Sequence, residues 1–446
     1  MMYKTSQFNI TRTIESGHSY LINTRTTAVL DVSSSALEGL RTALMRCDDP
    51  LVESYDKKII ELLLDNGFIV PSEFDELNWM EKVHWKARNG KDALALAIVL
   101  TLACNFRCTY CYEDHININI DDDVCDQIIK YLSKELNDKH HLNIAWFGGE
   151  PLLGIRRIEA LTKRIQKLTK KFGVNYSSRI STNGYLLTPH NAKILSDCQV
   201  SDVQITLDGP PNVHNNRRFL KNGNPTFTRI YDNICSAIGM FNRLTIRVNI
   251  DKRNIDSIPK LLEDYLYPIH DDIYLSFAAA MSPSCVDNIE NWTIPPDEFW
   301  KAEKKIGLLA DKLGFKVIRG YPIPCTSFCN AYQKNSFIID PYGLVNRCTK
   351  YLGRKKESYG YLGSDGTLKI NQNSQQAYWD QWSPFIDNEC TNCKALPLCM
   401  GGCLLYLASN KPKELTHRCF AKEDILNSLL RETIFKQLVD SGKIIR

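Results

Sequence analysis

Apolar and polar residues alternate in blocks between residues 93 and 280, and the blocks have the lengths of strands and helices. Short apolar runs predict strands at 93–102, 142–147, 176–181, 202–207, 243–250 and 272–279. Segments with helical periodicity separate them, at 121–137, 155–172, 189–197, 227–241 and 254–266. Strand–helix repetition of this kind is typical of a parallel sheet covered by helices. We therefore predict an α/β fold, either a partial barrel or a doubly wound sheet.

The first 75 residues have a different pattern. Residues 19–33 alternate as strands do, a Ser-rich helix start follows at 33–44, and a helix running into a short strand is predicted at 56–70. Two strands followed by two or three helices suit a winged-helix-like module. The segment has no cluster of catalytic residue types, so we predict a binding role, with a purely structural role as the alternative.

The remaining boundaries follow from changes in the pattern. Residues 76–92 are polar and are predicted to be a linker, and the strand–helix region extends over 93–313. A loop-rich, cysteine-containing region covers 314–425, and a helix is predicted at 426–446. Loop-rich sequence with few apolar runs needs another source of stability, which bound metal would supply.

Composition and charge exclude several classes of protein. The chain has 446 residues, 43% hydrophobic and 24% charged, with a net charge of +4. This near-neutral balance gives no case for a nucleic acid or an anionic membrane as partner. The longest apolar run has eleven residues (93–103), whereas about 20 are needed to span a bilayer. Because the start of the chain does not resemble a signal peptide, we expect a cytoplasmic protein.

The sixteen cysteines are unevenly distributed. In a reducing compartment cysteines are better candidates for metal ligands than for disulfides. Eleven of them fall into two groups, at 104–111 and 325–419. The other five are predicted to be small buried apolar residues, and they are Cys47, Cys125, Cys198, Cys235 and Cys285.

The first group, Cys104, Cys108 and Cys111, directly follows the first predicted strand of the sheet. A structural zinc site takes four protein ligands, and the sequence offers no fourth beyond His115. Three thiolates suit a 4Fe–4S cluster that keeps one iron open for a ligand other than protein. Zinc and free thiols remain the alternatives.

Three further motifs follow predicted strands: "GGEP" at 148–151, "TNG" at 182–184 and "DGPPNVH" at 208–214. In parallel α/β architectures, functional loops lie at the carboxyl ends of the strands. We therefore expect these motifs to meet the cysteine loop at one edge of the sheet. Any one of the glycines, taken alone, could simply make a turn.

The spacing C-x3-C-x2-C, with Tyr110 before the last cysteine, resembles the signature of the radical S-adenosylmethionine (SAM) enzymes. The resemblance implies a partial (β/α)6 barrel and a 4Fe–4S cluster whose open iron chelates the amino and carboxylate groups of SAM. One electron from the cluster then cleaves SAM. The resulting 5′-deoxyadenosyl radical abstracts hydrogen from the substrate.

The resemblance also implies a SAM pocket. Gly149 and Glu150 of "GGEP" are expected to face the SAM amino group, and Tyr110 is expected to lie against the adenine. The segment 206–218 is similar to a family segment near the ribose and carboxylate. This segment and the neighbouring strand ends supply the further candidates for the pocket, which are Thr206, Arg218, Asn183, Asn249 and Asp208. Arg217, one position away, is the alternative to Arg218. Asp208 is equally well explained as a turn former.

The second cysteine group resembles the SPASM extension, a C-terminal module that binds auxiliary 4Fe–4S clusters. A two-cluster module would bring the total to three clusters. The implied ligand sets are Cys325, Cys329, Cys348 and Cys403 for auxiliary cluster I, and Cys390, Cys393, Cys399 and Cys419 for auxiliary cluster II. Either Cys325 or Cys329 could be absent from the set, which would leave an iron open. A zinc ribbon is the alternative for the whole group.

Two features favour peptide maturases, which cross-link ribosomally made precursors through thioether or carbon–carbon bonds. Sulfatase maturases, which make formylglycine from Cys or Ser, use an aspartate where this chain has Thr349. The first 75 residues also resemble a leader-peptide recognition domain, to which a leader would add as a strand beside 20–32.

The predicted partners are therefore a precursor peptide and a flavodoxin- or ferredoxin-type electron donor. A sulfatase-maturase-like activity is the first alternative. A non-enzymatic iron–sulfur or DNA-binding regulator is the second, although the first 75 residues show no basic recognition helix.

Overall fold

The computed structural model describes residues 3–13, 19–32, 57–280, 291–318, 324–407 and 444–445, together with the helical positions 38, 40 and 44. The chain divides into two compact units. The sheet unit consists of Gly90–Arg319 and Lys334–Gln381. The terminal unit combines Met1–Asn89, Gly320–Gln333 and Trp382–Arg446. The predicted domain boundaries stay predictions.

The strands are numbered in chain order. They are β1 (Tyr3–Thr5), β2 (Asn9–Thr13), β3 (Ser19–Asn23), β4 (Val29–Asp31), β5 (Ile69–Pro71), β6 (Ala93–Val99), β7 (His141–Phe147), β8 (Asn175–Thr182), β9 (Val200–Thr206), β10 (Arg243–Ile250), β11 (Tyr274–Ala279), β12 (Lys316–Ile318), β13 (Ser336–Ile339), β14 (Leu344–Asn346), β15 (Gly360–Leu362), β16 (Leu368–Ile370) and β17 (Ile444–Ile445).

The α-helices are numbered in the same way, within the described residues. They are α1 (Lys57–Asp65), α2 (Glu76–Arg88), α3 (Asp122–Glu135), α4 (Ile155–Phe172), α5 (Pro189–Asp197), α6 (Pro211–Arg217), α7 (Phe227–Ala237), α8 (Ile258–Lys260), α9 (Pro296–Lys312), α10 (Gln375–Tyr378), α11 (Asn388–Thr391), α12 (Leu396–Cys399) and α13 (Leu404–Leu407).

The sheet unit is built on one eleven-stranded sheet with the order β12-β11-β10-β9-β8-β7-β6-β13-β14-β15-β16. The pairs from β12 to β13 are parallel, and the last three strands are joined by antiparallel pairs. The six predicted strands correspond to β6–β11. The prediction of an α/β fold around a mostly parallel sheet is confirmed.

The apolar patterns explain how the sheet is covered. In β6 the alternate residues Leu94, Leu96 and Ile98 are buried in the core of the sheet unit. Helix α4 buries Ile158 and Ile165 of its apolar face in the same core. The glycine that ends α4, Gly173, has a φ of 68°, which is the left-handed conformation common after a helix. The packing leaves the carboxyl ends of β6–β11 at one edge.

The terminal unit contains a four-stranded sheet with the order β17-β4-β3-β2 and a separate antiparallel pair, β1 with β5. Strands β2, β3 and β4 form an antiparallel meander. The outer side of β4 is paired in parallel with β17, with Ile444 opposite Val29 and Ile445 opposite Leu30. Strand β3 is therefore interior. Within the described strands of this sheet, an added leader strand could pair outside β2, outside β17, or with β4 in place of β17.

Residues 76–92 differ from the predicted polar linker, because Glu76–Arg88 form helix α2. The side chain of Asp75 caps the helix by accepting a hydrogen bond from the Asn78 N–H. Some of the polar residues that suggested an exposed linker are instead buried and hydrogen-bonded to other parts of the terminal unit. The guanidinium of Arg88 donates to the Trp382 carbonyl (2.6 Å).

Other expectations fall partly outside the described residues. The predicted helix at 33–44 is described only at three positions, and of the predicted helix at 426–446 only Ile444–Ile445 is described, as strand β17.

Cys125 and Cys198 are buried as predicted, whereas Cys235 is exposed on α7 and that prediction is wrong. Cys47 and Cys285 lie outside the described residues. Among the described helices, none is long and apolar enough to cross a membrane.

The carboxylate of Glu76 ties the start of the chain to α2. It is buried, and it accepts hydrogen bonds from Ser6 Oγ (2.8 Å), Gln7 N (2.9 Å) and Arg25 Nε (2.9 Å). The ion pair with Arg25 is also largely shielded from water. Removing one member of such a pair leaves the other charge buried without compensation.

We expect Glu76→Ala to destabilise the terminal unit by about 3–5 kcal/mol, the usual result of breaking a buried ion pair. Native-state hydrogen exchange should show faster exchange in residues 3–13 and 19–32. Glu73→Ala is the matched control, since Glu73 is exposed. Unchanged exchange in the Glu76 variant would show that this carboxylate does not hold the segment.

Candidate active site at the carboxyl edge of the sheet

The cysteine loop follows β6 and is held by the segment after α6. The Arg107 N–H donates to the Phe219 carbonyl (2.9 Å), and the Thr109 N–H donates to the Arg217 carbonyl (3.0 Å). All three thiols of the loop are half-buried. The predicted meeting of the loop with the 206–218 segment is therefore present in the backbone.

The thiols of the loop are poorly solvated. Burial raises the pKa of Cys104 to about 12 and that of Cys111 to about 11. Burial also raises the pKa of Cys108, although the nearby Arg218 guanidinium opposes the rise. A bound metal reverses this tendency, because a coordinating thiol is deprotonated outright. Three half-buried thiols on one short loop are thus a donor set that fits iron.

Among the described residues, no group of three or more His, Cys, Asp or Glu side chains is placed to hold a single metal ion. A cubane cluster makes a different demand, since each thiolate binds its own iron at a separate corner. The loop of Cys104, Cys108 and Cys111 could hold such a cluster.

The "GGEP" motif lies against the backbone that leads into the cysteine loop. The Gly149 N–H donates to the Thr101 carbonyl (3.0 Å), and the Glu150 N–H donates to the Ala103 carbonyl (2.9 Å). A Cβ atom on Gly149 would lie only 2.4 Å from the Ala103 carbonyl oxygen. Glycine is therefore required here by close backbone approach.

Glu150 is completely buried. One carboxylate oxygen accepts hydrogen bonds from Leu152 N (2.9 Å) and Thr182 Oγ1 (2.6 Å), and the other accepts one from Asn183 N (2.7 Å). Burial raises the pKa of Glu150, and these hydrogen bonds oppose the rise. The residue joins the carboxyl ends of β7 and β8, and its predicted contact with the SAM amino group stays a prediction.

Asn183 lies beside the first cysteine. Its side-chain amide donates to Asn105 Oδ1 (2.8 Å) and lies 3.9 Å from Cys104 Sγ. The side-chain oxygen Oδ1 of Asn183 accepts from the Tyr185 N–H (3.0 Å). The sequence names Asn183 as a pocket candidate, and the structure brings it to the cysteine loop.

The hydroxyl of Tyr110 is the centre of a second polar cluster. It donates to Asp208 Oδ2 and accepts from Arg218 Nη1 (2.6 Å) and Asn249 Nδ2 (3.1 Å). Asp208 Oδ1 also accepts from the Asn249 N–H (2.9 Å). The cluster joins the cysteine loop to the ends of β9 and β10. Tyr110 is therefore fixed through its hydroxyl, and its predicted stacking on adenine stays a prediction.

Arg217 and Arg218, which the sequence does not distinguish, have different surroundings. The Arg217 guanidinium donates to Asp251 Oδ1 (2.7 Å) and lies over the Tyr110 ring at 5.1 Å. Arg218 bonds to the Tyr110 hydroxyl, and its charge acts on Cys108. Both arginines contact the cysteine loop, and Arg218 has the larger effect on the pKa of Cys108. Thr206 lies half-buried at the end of β9.

Two buried residues behind this cluster are not named as site candidates by the sequence reasoning, although one of them, His214, ends its "DGPPNVH" motif. Burial works against ionisation of Asp251, but its hydrogen bonds from Arg253 and Arg217 lower its pKa. His214 Nδ1 accepts from the Asp208 N–H (3.2 Å), and burial holds the pKa of His214 well below its usual range. The pattern "NIDKRNID" (249–256), polar directly after an apolar strand, was the available signal for Asp251.

Six of the predicted auxiliary ligands lie in described parts of the terminal unit. Burial raises the pKa of the Tyr332 phenol strongly, and the thiols of four cysteines add to the rise, namely Cys329, Cys399, Cys390 and Cys403. These four thiols are therefore close enough to one tyrosine to affect its pKa, and the hydroxyl of that tyrosine donates to the Gly402 carbonyl (3.0 Å). Cys325 is nearby in the chain fold, with its N–H bonded to the Pro397 carbonyl (3.0 Å). Cys393 is half-buried.

The cysteines at 399 and 403 are separated by an unusual turn. Met400, Gly401 and Gly402 have φ values of 43°, 85° and 74°. Three left-handed residues in a row require mostly glycine, and a Cβ on Gly401 would lie 2.4 Å from the Trp382 ring. Cys348 belongs to the sheet unit, and Cys419 lies outside the described residues, so the predicted ligand sets stay predictions.

A pocket beside the cysteine loop is a third feature that the sequence does not reveal. It is lined by Leu102, by residues 112–116 directly after Cys111, and by Thr349, Lys350, Leu352 and Arg354, which follow Cys348. The Tyr112 hydroxyl and Thr349 Oγ1 lie 3.2 Å apart in a hydrogen bond. Lys350 Nζ lies 3.8 Å from the centre of the Tyr112 ring. Burial, together with the neighbouring Glu150 charge, raises the pKa of Glu113 to about 8.

Gly149→Ala should disturb the site, because the Ala103 carbonyl is backbone and cannot move aside cheaply. We expect SAM affinity of the iron-loaded protein to fall at least about tenfold, or about 1.4 kcal/mol, measured by anaerobic equilibrium dialysis. Gly154→Ala is the control, since the nearest atom to its Cβ would be the Leu100 Cβ at an ordinary 3.4 Å. Wild-type SAM affinity in the Gly149 variant would contradict the close-approach argument.

Comparison with known sequences places these motifs in a family. Residues 98–265 match the model of the Radical SAM superfamily. The cysteine-type anaerobic sulfatase-maturating enzyme of Clostridium perfringens (strain ATCC 13124) is 26% identical over 333 residues, covering 67% of this chain and 85% of that protein. The radical SAM cyclopropyl synthase TigE of Paramaledivibacter caminithermalis is 24% identical over 400 residues, covering 78% and 76%.

Solved structures share the fold. Native anSMEcpe with bound AdoMet is 21% identical with a TM-score of 0.62, covering 78% of this chain and 98% of that chain. Streptococcus suis SuiB bound to precursor peptide SuiA is 14% identical with a TM-score of 0.50, covering 92% of this chain and 98% of that chain. The family match lies on the segment that carries the cysteine loop, "GGEP" and the Tyr110 cluster. We conclude that the chain is an enzyme that contains a radical SAM domain at residues 98–265.

Proposed function

We propose that this enzyme modifies a ribosomally synthesised precursor peptide, forming a thioether or carbon–carbon cross-link. In this proposal Cys104, Cys108 and Cys111 hold the 4Fe–4S cluster. Such a cluster would supply the electron that cleaves SAM. The SAM pocket is formed by the residues at the same edge of the sheet, namely Tyr110, Gly149, Glu150, Asn183, Thr206, Arg218 and Asn249.

The polar clusters of the sheet edge give these residues definite roles. Glu150 fixes the Asn183 backbone, and Asn183 in turn contacts Asn105 and Cys104. The Tyr110 hydroxyl orients Arg218 and Asn249 from the other side. Side chains held in this way lose little conformational freedom when SAM binds, which favours a defined orientation of its reactive bond.

Cross-linking removes two hydrogen atoms from the peptide. One would leave as a hydrogen atom to the 5′-deoxyadenosyl radical. The other would leave as a proton, which solvent can take up, and as an electron, which auxiliary clusters at the second cysteine group would accept. That proposal includes three 4Fe–4S clusters in all, a flavodoxin- or ferredoxin-type donor and a reducing, cytoplasmic location.

The residue at position 349 favours cross-linking over formylglycine formation. Sulfatase maturases resemble this chain but use an aspartate there as base, and Thr349 cannot take a proton in that way at neutral pH. Its hydroxyl is instead hydrogen-bonded to Tyr112. At position 349, therefore, the base that formylglycine formation requires is replaced in this chain by a residue that cannot serve as that base.

The observation that carries the proposal is the small sheet of the terminal unit. Strand β4 already accepts a short parallel strand, β17, along its outer edge. A leader peptide could take the same position through main-chain hydrogen bonds, which is how strand addition gives affinity without side-chain pockets. A neighbour that carries a precursor peptide, SuiB, is matched over 92% of this chain, whereas anSMEcpe is matched over 78%.

A sulfatase-maturase-like activity is the second candidate, because a curated enzyme of that kind is 26% identical over two thirds of the chain. The Kp18Cys peptide, which is bound in one structural neighbour, distinguishes the two. Conversion of its cysteine to an aldehyde by this enzyme would favour the sulfatase-maturase candidate. The second alternative from the sequence, a regulator without enzymatic activity, does not agree with the assignment of the chain as an enzyme.

The cluster proposal gives a quantitative expectation. Anaerobically reconstituted enzyme should bind about twelve irons, four for each of three cubanes, and release 5′-deoxyadenosine from SAM with dithionite. Cys111→Ala should lose that release and about four irons, whereas Cys235→Ala, at an exposed cysteine on α7, should keep both. Zinc in place of iron, or no 5′-deoxyadenosine from the iron-loaded enzyme with peptide present, would refute it.

Leader binding at the β4 edge predicts competition with β17. Removing residues 444–446 should raise the affinity of the precursor encoded beside the gene several-fold, or roughly 1 kcal/mol, because the leader no longer displaces a strand. Fluorescence anisotropy of the labelled precursor measures this. The core half of the precursor without its leader is the control and should bind both proteins equally. Unchanged precursor affinity would exclude the β4 edge as the leader site.

A further inference from the structure

The imidazole of His84 is buried in the terminal unit with one ring nitrogen unused. His84 lies on α2 and is completely shielded from solvent. Its Nδ1 is 2.6 Å from the Thr326 carbonyl oxygen. Within the described residues, its Nε2 is shielded from water and has no hydrogen-bond partner. A buried polar atom in this condition costs free energy unless something satisfies it.

The contact with Thr326 determines which ring nitrogen carries the hydrogen. A carbonyl oxygen can only accept a hydrogen bond, so Nδ1 is the donor. The nitrogen that presents a lone pair is then Nε2. Histidines that bind metals usually have this arrangement, in which the second ring nitrogen donates its N–H to a carboxylate or a backbone carbonyl. The His84 ring is therefore held in the way that a metal-binding imidazole is held.

His84 reaches the second cysteine group through two neighbours. Thr326, whose carbonyl accepts from the ring, lies between Cys325 and Cys329 in the sequence. The His84 ring also contacts the Tyr332 ring edge-on, with 6.0 Å between the centroids. Tyr332 is the tyrosine near which four thiols of the group lie. All these residues belong to the terminal unit. The unused nitrogen is thus beside the segment that carries proposed cluster ligands.

Helix α2 presents this side chain to the cysteines. Leu77, Met80 and His84 are spaced by three and four residues, so they lie on one face of the helix. Leu77 and Met80 pack in a small apolar core, against which Cys325 and Cys390 also pack. The face of α2 that carries His84 is therefore the face that lies against the second cysteine group.

One cysteine assigned to auxiliary cluster I is already engaged elsewhere. The Cys325 thiol donates to the Leu398 carbonyl (3.5 Å), and its side chain packs against the same apolar core. The pKa of Tyr332, by contrast, is raised chiefly by burial and further by the thiols of Cys329 and Cys403. The sequence left open whether Cys325 or Cys329 is absent from the ligand set. These contacts favour Cys329 as the ligand and leave one position of the set to be filled.

We propose that His84 Nε2 is a ligand of auxiliary cluster I and takes the position assigned to Cys325. The other ligands of the set stay Cys329, Cys348 and Cys403. Imidazole is a suitable donor, since it replaces thiolate on one iron of Rieske centres and raises their reduction potential. The proposal rests on the three clusters of the proposed function. A cluster with a higher potential would accept the electron from the peptide more readily.

Pulsed EPR with isotope-labelled histidine tests this ligation directly. The enzyme is produced with ¹⁵N-histidine, reconstituted anaerobically to about twelve irons and reduced with dithionite, without SAM. A ¹⁵N nucleus bound to iron gives a strong hyperfine coupling, whereas a histidine that contacts only a buried water or aromatic rings does not. The labelled wild type should show the strong coupling.

Two substitutions at position 84 separate ligation from packing. His84→Asn keeps an N–H for the Thr326 carbonyl but has no nitrogen lone pair, so it should lose the coupling and up to about four irons. His84→Cys supplies a thiolate, so it should keep about twelve irons, lose the coupling and lower the potential of one cluster. His190→Asn is the matched control, at an exposed histidine on α5, and should change none of these.

The wild-type spectrum alone can overturn the proposal. Absence of strong coupling in enzyme with about twelve irons would show that His84 is not a ligand, and the three clusters would stand. Coupling that persists in His84→Asn would assign it to another histidine. Cys325→Ala should keep the irons and the coupling, and loss of about four irons there would return the position to Cys325. A wild type with only about four irons would refute the auxiliary clusters and His84 ligation together.

Discussion

One buried carboxylate, Glu150, fixes the backbone around which the site is arranged. Its two oxygens accept three hydrogen bonds from the turn after β7 and the end of β8, and its own N–H is bonded to the residue before Cys104. Glycine at position 149 makes this approach possible. The Tyr110 hydroxyl joins the cysteine loop to the ends of β9 and β10 in the same way, through its hydrogen bonds with Asp208 and Asn249. Protein groups alone therefore hold the ends of five neighbouring strands together.

Much of this could be predicted from the sequence, because the signals are local. Apolar runs predicted β6–β11 within a few residues, and the cysteine spacing together with "GGEP" predicted the edge of the sheet at which the candidate site lies. Helix α2 was missed because its polar residues suggested solvent exposure. Glu76 and Arg88 have buried partners that come from distant segments, Ser6 and Trp382, and composition carries no information about such partners.

The same reason explains what was missed in the site. Glu113 and Lys350 lie after different cysteines, far apart in the chain, and only the folded sheet unit brings them to one pocket. The sequence also could not choose between Arg217 and Arg218, since the choice depends on where Asp251 and Tyr110 lie in space. Pairing between distant polar side chains is therefore the part of the site that requires a structure. The relatives share the fold at low identity, so they do not supply that pairing either.

The terminal unit is assembled from three separate stretches of chain, and its sheet includes Ile444 and Ile445. During synthesis, the segment that contains Phe8 and Met80 emerges long before residues 396–400, against which these two side chains pack. At ordinary rates of about 5–20 residues per second, the delay is roughly 15–60 seconds. The sheet unit, which ends at Gln381, emerges in that interval, whereas the terminal unit remains incomplete with apolar surface exposed. Slow or interrupted translation should therefore endanger this unit first, and chaperones would be needed most at the beginning of the chain.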